Sequence, residues 1–229
     1  MSTDTEKRHL SKIIDQFSKQ AAPFAELHIH MDAMDLLLEM SGVRKSDTVL
    51  DVACGPGLVA CEFAPRASHV TGIDITEAMI EKARALGEEK NLVNVEWVCG
   101  NASPLPFTDG SYSLVITRYS FHHFLDPEKA LREMIRVCVP GGRVMIADVC
   151  VGEEHSEVYD AMEKLRDDSH VHALTDPEFT DMFVRSGLRD LKKSGYGLDA
   201  DVESLLDASS HTPIERERMV DMIEADIGE

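Results

Sequence analysis

Val49-Leu50-Asp51-Val52-Ala53-Cys54-Gly55-Pro56-Gly57 reads as a short buried strand emptying into a tight loop that is nearly bare of side chains. The apolar run around Asp51 suits a strand covered on both faces. Gly55 and Gly57 let the backbone bend and approach a ligand where a Cβ would clash. A helix starting just after Gly57 turns its unpaired N–H groups and positive dipole end toward whatever sits over the loop. A nucleoside-bearing cofactor suits that place. A strand followed by G-x-G also occurs in ordinary tight turns, so the flanking sequence has to decide.

Downstream, residues 58–66 suit a short helix ended by Pro65, and His69-Val70-Thr71-Gly72-Ile73-Asp74 reads as a second strand closed by an acid. Thr76 is placed to cap a helix reaching about Lys90, with Met79, Ala83 and Leu86 inward. Val95-Glu96-Trp97-Val98-Cys99 makes a third strand, with Trp97 read as core. The turn formers of residues 100–110 make a loop, and Ser113-Leu114-Val115-Ile116-Thr117 is a fourth strand. It empties into Arg118-Tyr119-Ser120-Phe121-His122-His123-Phe124. Asp126-Pro127-Glu128 opens a helix with a cap, a first-turn proline and an acid. Pro140-Gly141-Gly142 then turns the chain into a fifth strand over residues 143–149.

Alternating strands and helices with connections this short imply right-handed crossovers and an α/β fold with a mostly parallel sheet, helices on both faces. Ligands on such sheets sit outside the carboxyl ends of the strands, where strand order reverses. The glycine loop, Asp74, Asn101 and the stretch from Arg118 to His123 all belong to that edge. Beyond residue 150 the pattern weakens to a polar helix near 154–168, a helix from Thr175 with Glu178 completing a capping box and Gly187 ending it, a sixth strand over 188–195, and acidic helices over 199–209 and 213–227. Before the first strand, Leu10, Ile13, Ile14 and Phe17 share one helical face and Leu27, Met31, Met34 and Leu38 another, giving two helices separated by Pro23. The stretch between them reads equally as plain connection or as a flap over the cofactor.

The 229 residues suit one domain: N-terminal helices over 1–45, a cofactor-binding core over 46–150, and a lid with C-terminal elements over 151–229. A net charge of −19 without a basic cluster argues against nucleic acid and anionic membrane surfaces as partners. Five cysteines, none in a C-x-x-C pair, read as reduced thiols of a cytoplasmic protein. No window is apolar enough for membrane insertion, and the polar N-terminus does not read as a leader.

Asp74 follows Gly57 by seventeen residues, a separation at which an acid ending the second strand can bond both hydroxyls of a ribose. That much fits NAD and S-adenosylmethionine alike. The joint pattern resembles class I S-adenosylmethionine-dependent methyltransferases, on the branch of the ubiquinone/menaquinone C-methyltransferases. It is carried by VLDVACGPG, by Gly72 to Asp74 with Ile75 and Met79, by Gly100-Asn101-Ala102 with Leu105-Pro106-Phe107, by SLVITRYSFHHF, and by Val139-Pro140-Gly141-Gly142. The resemblance implies a Rossmann-like sheet with a helical lid from both ends of the chain. It also implies S-adenosylmethionine as cosubstrate, a small-molecule acceptor and no metal. It assigns Ala53, Cys54, Gly55 and Gly57 to the cradle, Asp51 to holding that loop, and Asp74 to the ribose. Ile75 and Met79 sandwich the adenine, Gly100, Asn101 and Ala102 lie along its edge, and Arg118 and Tyr119 face the methionine moiety.

Two departures from the family pattern stand out. Ala53 replaces a common glycine, which calls for a negative φ there. Asn101 replaces a common aspartate, keeping one carbonyl acceptor. The fold usually closes with sixth and seventh strands, yet no seventh is legible, so an exposed sheet edge or a partner covering it, as in a homodimer, is expected. Methyl transfer is an in-line displacement whose reactivity the cosubstrate carries, so a base is needed only if the acceptor must lose a proton. His123, His122 and Tyr119 are the candidates for that part, although a histidine pair opening a helix is commonly structural. His28-x-His30 and His170-x-His172 lack further ligands in register and read as surface pairs. Cys54 has no basic neighbour and reads as packing. Leu205, Leu206, Met219 and Met222 mark an apolar lid and a hydrophobic acceptor. The alternatives are a module that holds S-adenosylmethionine without turnover and a nicotinamide-dependent oxidoreductase.

Overall fold

The strand and helix patterns resolve into five strands and eight helices in a computed structural model that describes residues 3–26, 33–197 and 212–227. The strands are β1 (Thr48–Val52), β2 (His69–Asp74), β3 (Val95–Cys99), β4 (Tyr112–Arg118) and β5 (Cys138–Ala147). The helices are α1 (Asp4–Glu26), α2 (Met34–Ser41), α3 (Leu58–Phe63), α4 (Glu77–Glu89), α5 (Pro127–Val137), α6 (Ser156–Arg166), α7 (Asp176–Arg185) and α8 (Pro213–Ile227). The sheet order is β3-β2-β1-β4-β5 with every pairing parallel, so strand order reverses between β1 and β4.

Period-two alternation sorts the strand residues between two cores. Val49, Leu114 and Ile116 pack with Met34, Leu37, Val59 and Phe63 on one face. Leu50, Val52 and Val115 pack with Leu131, Met134, Val137 and Met182 on the other. Burial on both faces explains why β1 and β4 read as nearly continuous apolar runs. Helix boundaries follow their punctuation. The Asp126 carboxylate accepts from the Lys129 N–H at 2.8 Å with Pro127 in the first turn. Glu178 accepts from the Thr175 N–H at 2.8 Å, and Gly187 ends α7 at φ 76°.

Several expectations are corrected. Pro23 does not divide two helices: α1 runs through it to Glu26, carried by Ala21 and Ala22 and giving up only the backbone hydrogen bond a proline cannot donate. Leu27 and Met31, expected on the second helix, lie outside the described residues, as do His28, His30 and residues 199–209 with Leu205 and Leu206. Pro140-Gly141-Gly142 is a bulge inside β5 rather than a turn before it. Tyr112 pairs with Cys138 and Leu114 with Arg143, so extra residues loop out on β5. Gly141 has φ 77°, and a Cβ on Gly142 would meet Cys138 Sγ at 2.6 Å. β5 also stops at Ala147, two residues short.

No sixth strand forms over 188–195. Arg189, Asp190, Lys192 and Lys193 interrupt any alternation, Asp190 has φ 54°, and Leu191 is 47% exposed. Among the described residues β5 is therefore the sheet edge, and no seventh strand follows. Thr76 is the residue before α4 as expected, but the cap bond comes from Asp74, whose Oδ1 accepts from the Thr76 N–H at 2.8 Å. Ala53 has φ 55°, not a negative value. The loop imposes a left-handed turn there, and alanine, with only a methyl to accommodate, tolerates it. Met219 packs, fully buried, in a helix lying against α6 rather than over the sheet's carboxyl edge.

Candidate active site

Left-handed backbone at Ala53, Gly55 and Gly57 coils the segment after β1 so that the Gly55 N–H donates to Asp74 Oδ2 at 2.9 Å. Asp74 thus clamps the ends of β1 and β2 with one oxygen each on Gly55 and Thr76. Burial raises its pKa, against the lowering effect of those N–H groups. Its backbone carbonyl accepts from the Gly100 N–H at 2.8 Å, joining the end of β3 to the same edge. A Cβ on Gly55 would meet nothing within 4 Å, because the loop faces open space.

That space is a cavity of about 490 Å³ at the carboxyl ends of the strands, within the size range of small-molecule sites. Ala53, Cys54, Gly55, Asp74, Ile75, Met79, Gly100, Asn101, Ala102, Arg118, Tyr119 and His123 all line it. Asp51, Gly57 and His122 do not. Asp51 is buried beneath the loop, where its Oδ2 accepts from the Ala60 N–H at 3.0 Å and fastens α3 to β1. Burial pushes its pKa to about 8. Gly57 is needed for packing: a Cβ there would lie 2.5 Å from the Trp97 indole. Gly72 would meet the same ring at 2.6 Å, so Trp97 is wedged against two glycines. The Cys54 thiol, desolvated and beside Asp51 and Asp74, is held well above its ordinary pKa and stays neutral. The Asn101 carbonyl already accepts from the Ser103 N–H at 3.0 Å.

The Arg118 guanidinium lies over the Tyr119 ring at 4.5 Å and donates to the hydroxyl of Tyr196 at 3.1 Å. The Tyr119 and Tyr196 hydroxyls are 2.6 Å apart, fastening the segment after α7 to the strand end. Next along the chain, Asp148 is the anchor that sequence reading missed. Its Oδ2 accepts from the Ser120 and Phe121 N–H groups at 2.9 and 2.6 Å, and its Oδ1 lies 2.5 Å from His122 Nδ1. An acid just past an otherwise apolar strand was the available signal. His122 is thereby turned away from the cavity and tied to Asp148. Burial works against its charge, but the Asp148 carboxylate outweighs it and the pKa rises. His123 behaves oppositely: burial, with the neighbouring His122 charge, brings it down to about 3. His170 and His172 are not loose surface groups either, since they flank Asp160 at 2.7 and 2.6 Å.

The remaining wall comes from α1. Thr3, Glu6, Leu10, Ile13 and Phe17 recur at steps of three and four and turn one face to the cavity, with His9 beside them. Ile14 lies on the outer side, 37% exposed. His9 Nε2 reaches the His123 carbonyl at 2.7 Å, and the Phe17 ring meets the His123 ring edge-on at 5.2 Å. Among the described residues, no cavity wall comes from beyond Ala130, so the expected C-terminal share of the lid is not seen in them.

Residues 50–146 match the family model described as a methyltransferase domain. The chain is 32% identical over 210 residues to the uncharacterized methyltransferase YcgJ of Bacillus subtilis, covering 89% of this chain and 82% of that one. It is 32% identical to the demethylmenaquinone methyltransferase of Listeria welshimeri over 64% of each chain. The crystal structure of YcgJ superposes with a TM-score of 0.80 at 29% identity, over 84% of this chain and 83% of that one. With the strand order, the glycine loop clamped to Asp74 and these likenesses together, the chain belongs to the class I S-adenosylmethionine-dependent methyltransferases.

Proposed function

We propose that this protein transfers a methyl group from S-adenosylmethionine to a small, largely apolar acceptor bound beneath α1. The observation that carries this reading is that one cavity contains both Gly55 clamped to Asp74 and, on a separate wall, an apolar face with a buried histidine. The first set suits the nucleoside. Gly55 leaves room for close approach, Asp74 retains acceptor capacity for ribose hydroxyls, Ile75 and Met79 offer apolar flanks for the adenine, and Gly100, Asn101 and Ala102 border its edge. Arg118 and Tyr119 lie where the amino-acid end would extend.

When bound, the sulfonium supplies an activated methyl group and leaves as a neutral thioether. The chain's own residues hold the acceptor in line with that methyl and exclude water, which is where most of the acceleration in such a displacement originates. Leu10, Ile13, Phe17, Phe124 and Leu125 give the acceptor side its apolar character. The Lys129 ammonium and the Glu6 carboxylate, also in this wall, lie 3.3 Å apart and balance each other, which favours an uncharged acceptor.

Thermal denaturation with S-adenosylhomocysteine or NAD tests the cofactor. Ligand at a hundred times its dissociation constant adds about 2.7 kcal/mol. For a chain of this size that is a rise of roughly 5–10 °C. Stabilisation by NAD and not by S-adenosylhomocysteine would refute the assignment. Release of S-adenosylhomocysteine from S-adenosylmethionine in the presence of a metabolite panel then distinguishes turnover from mere binding.

A further inference from the structure

His123 is buried within a hydrogen-bond chain whose direction can be worked out by counting protons. Ser169 Oγ donates to Asp167 Oδ1 at 2.6 Å, and the Ser169 N–H donates to the same oxygen at 2.7 Å. With its single hydroxyl proton spent on a carboxylate, Ser169 Oγ has only lone pairs left for His123 Nδ1, 3.1 Å away. The Ser169 carbonyl, also 3.1 Å from Nδ1, accepts only. Nδ1 must therefore carry the hydrogen. The ring is otherwise faced by His122 at 4.2 Å and by the edge of Phe17, while His9 bonds only the backbone carbonyl of His123. Nε2 has no hydrogen-bond partner among the described residues. His123 is one of the residues that line the cavity, so the partnerless edge of its ring is the one available to a ligand there.

We propose that the bare Nε2 of His123 receives a hydrogen bond from the methyl acceptor, and that the acceptor carries a neutral hydroxyl on an apolar frame. Asp167 and Ser169 are positioning residues that fix the ring's tautomer and orientation. The inference rests on the methyl-transfer reading of the same cavity. As the bond from methyl carbon to the acceptor's oxygen, or to a ring carbon activated by that hydroxyl, forms, the carbon–sulfur bond breaks and sulfur keeps the electron pair. The methylated product is left as an oxonium or its carbon equivalent, whose proton passes to Nε2 and then to water. A weakly basic imidazole is sufficient, because those conjugate acids are far stronger than an imidazolium. A methylated amine would hold its proton against such a base.

The test is 1H–15N NMR of protein labelled at histidine nitrogen, without and with saturating S-adenosylhomocysteine, using phenol as probe and anisole as its capped control. The expected result is the Nδ1–H tautomer for His123, unchanged from about pH 5 to pH 9. Phenol should shift the Nε2 resonance and anisole should not. Ser169→Ala removes one of the two acceptors on Nδ1 but keeps the backbone carbonyl, so the Nδ1–H tautomer and the phenol shift at Nε2 should both persist in that variant. An Nε2–H tautomer, a titration within that pH range, or equal responses to phenol and anisole would each overturn the proposal. Failure of S-adenosylhomocysteine to bind would instead overturn the methyl-transfer reading, while the tautomer of the free protein still decides the assignment of Nε2.

Discussion

Gly57→Ala is expected to destabilise the fold for two separable reasons. Gly57 has φ 84°, and placing an alanine in the left-handed region costs about 1–2 kcal/mol. The added Cβ would also lie 2.5 Å from Trp97 Cη2 and 2.9 Å from Ala83 Cβ. Forcing a methyl into such a contact costs about 1–3 kcal/mol. The single substitution should therefore lose about 2–5 kcal/mol in urea denaturation, read as a lower midpoint at constant slope. Trp97→Phe removes the far edge of the indole and so relieves that contact, leaving the Ala83 contact and the backbone strain. In that background Gly57→Ala should cost less by the indole's share of the contact, giving a coupling of about 1–2 kcal/mol in a double-mutant cycle. If the two substitutions add within about 0.5 kcal/mol, the indole is not what demands glycine at this position, and its presence has to be explained by the ligand instead.

Three further outcomes follow from other parts of the molecule. Ala53→Gly should raise the unfolding free energy by about 1 kcal/mol, read as a higher urea midpoint, since φ 55° favours glycine; a loss would mean the methyl packs usefully in the cradle. Phe17→Ala should weaken acceptor binding while leaving S-adenosylhomocysteine affinity within about twofold, because the ring packs on His123; calorimetric loss of both would place α1 over the nucleoside instead. The His122–Asp148 pair should give stability a pH window. Asp148 has a lowered pKa, since His122 and backbone N–H groups outweigh its burial, so its contribution is present above about pH 4 and is lost as acid protonates it. His122 has a raised pKa, so its contribution is full below about pH 6.5 and fades as pH rises through the raised value. Asp148→Asn should flatten the denaturation profile at both ends, and a variant keeping the wild-type slope would remove the pair as its cause.

How much of this was legible depended on how local the signal was. β2, β3 and the start of α5 carry their causes within a few residues: an acid ending an apolar run, or Asp126-Pro127 capping a helix. The glycine loop was legible as a shape but not in its division of labour. Gly55 faces open space while Gly57 and Gly72 serve Trp97, and only the three-dimensional meeting of the loop with β3 tells them apart. The bulge in β5 was misread as a turn because Pro-Gly-Gly promotes either, and the pairing with β4 selects between them. Residues 188–195 read as a strand from two apolar positions, and their four charges decide against it. The positive φ at Ala53 was missed because alanine has no local need for it; Asp74, holding Gly55 from another strand, imposes it.

The two halves of the cavity differ in the same way. The groups proposed to face the nucleoside come from the strand ends, so each lies next to an apolar run that announces it, and together they form an ordered pattern along the chain. The proposed acceptor side joins residues 3–17 to residues 123–130, with a supporting chain from Asp167 and Ser169 that no spacing rule connects. His122 and His123 illustrate the consequence. They are adjacent in sequence and chemically identical, yet one is tied to Asp148 with its pKa raised and the other is a cavity-lining ring with its pKa lowered. What separates them is which buried carboxylate each finds, Asp148 directly or Asp167 through Ser169. On the proposed reading, acceptor specificity is written in tertiary contacts, and variants confined to Gly55, Asp74 and Asn101 should alter cofactor affinity while leaving acceptor choice almost untouched.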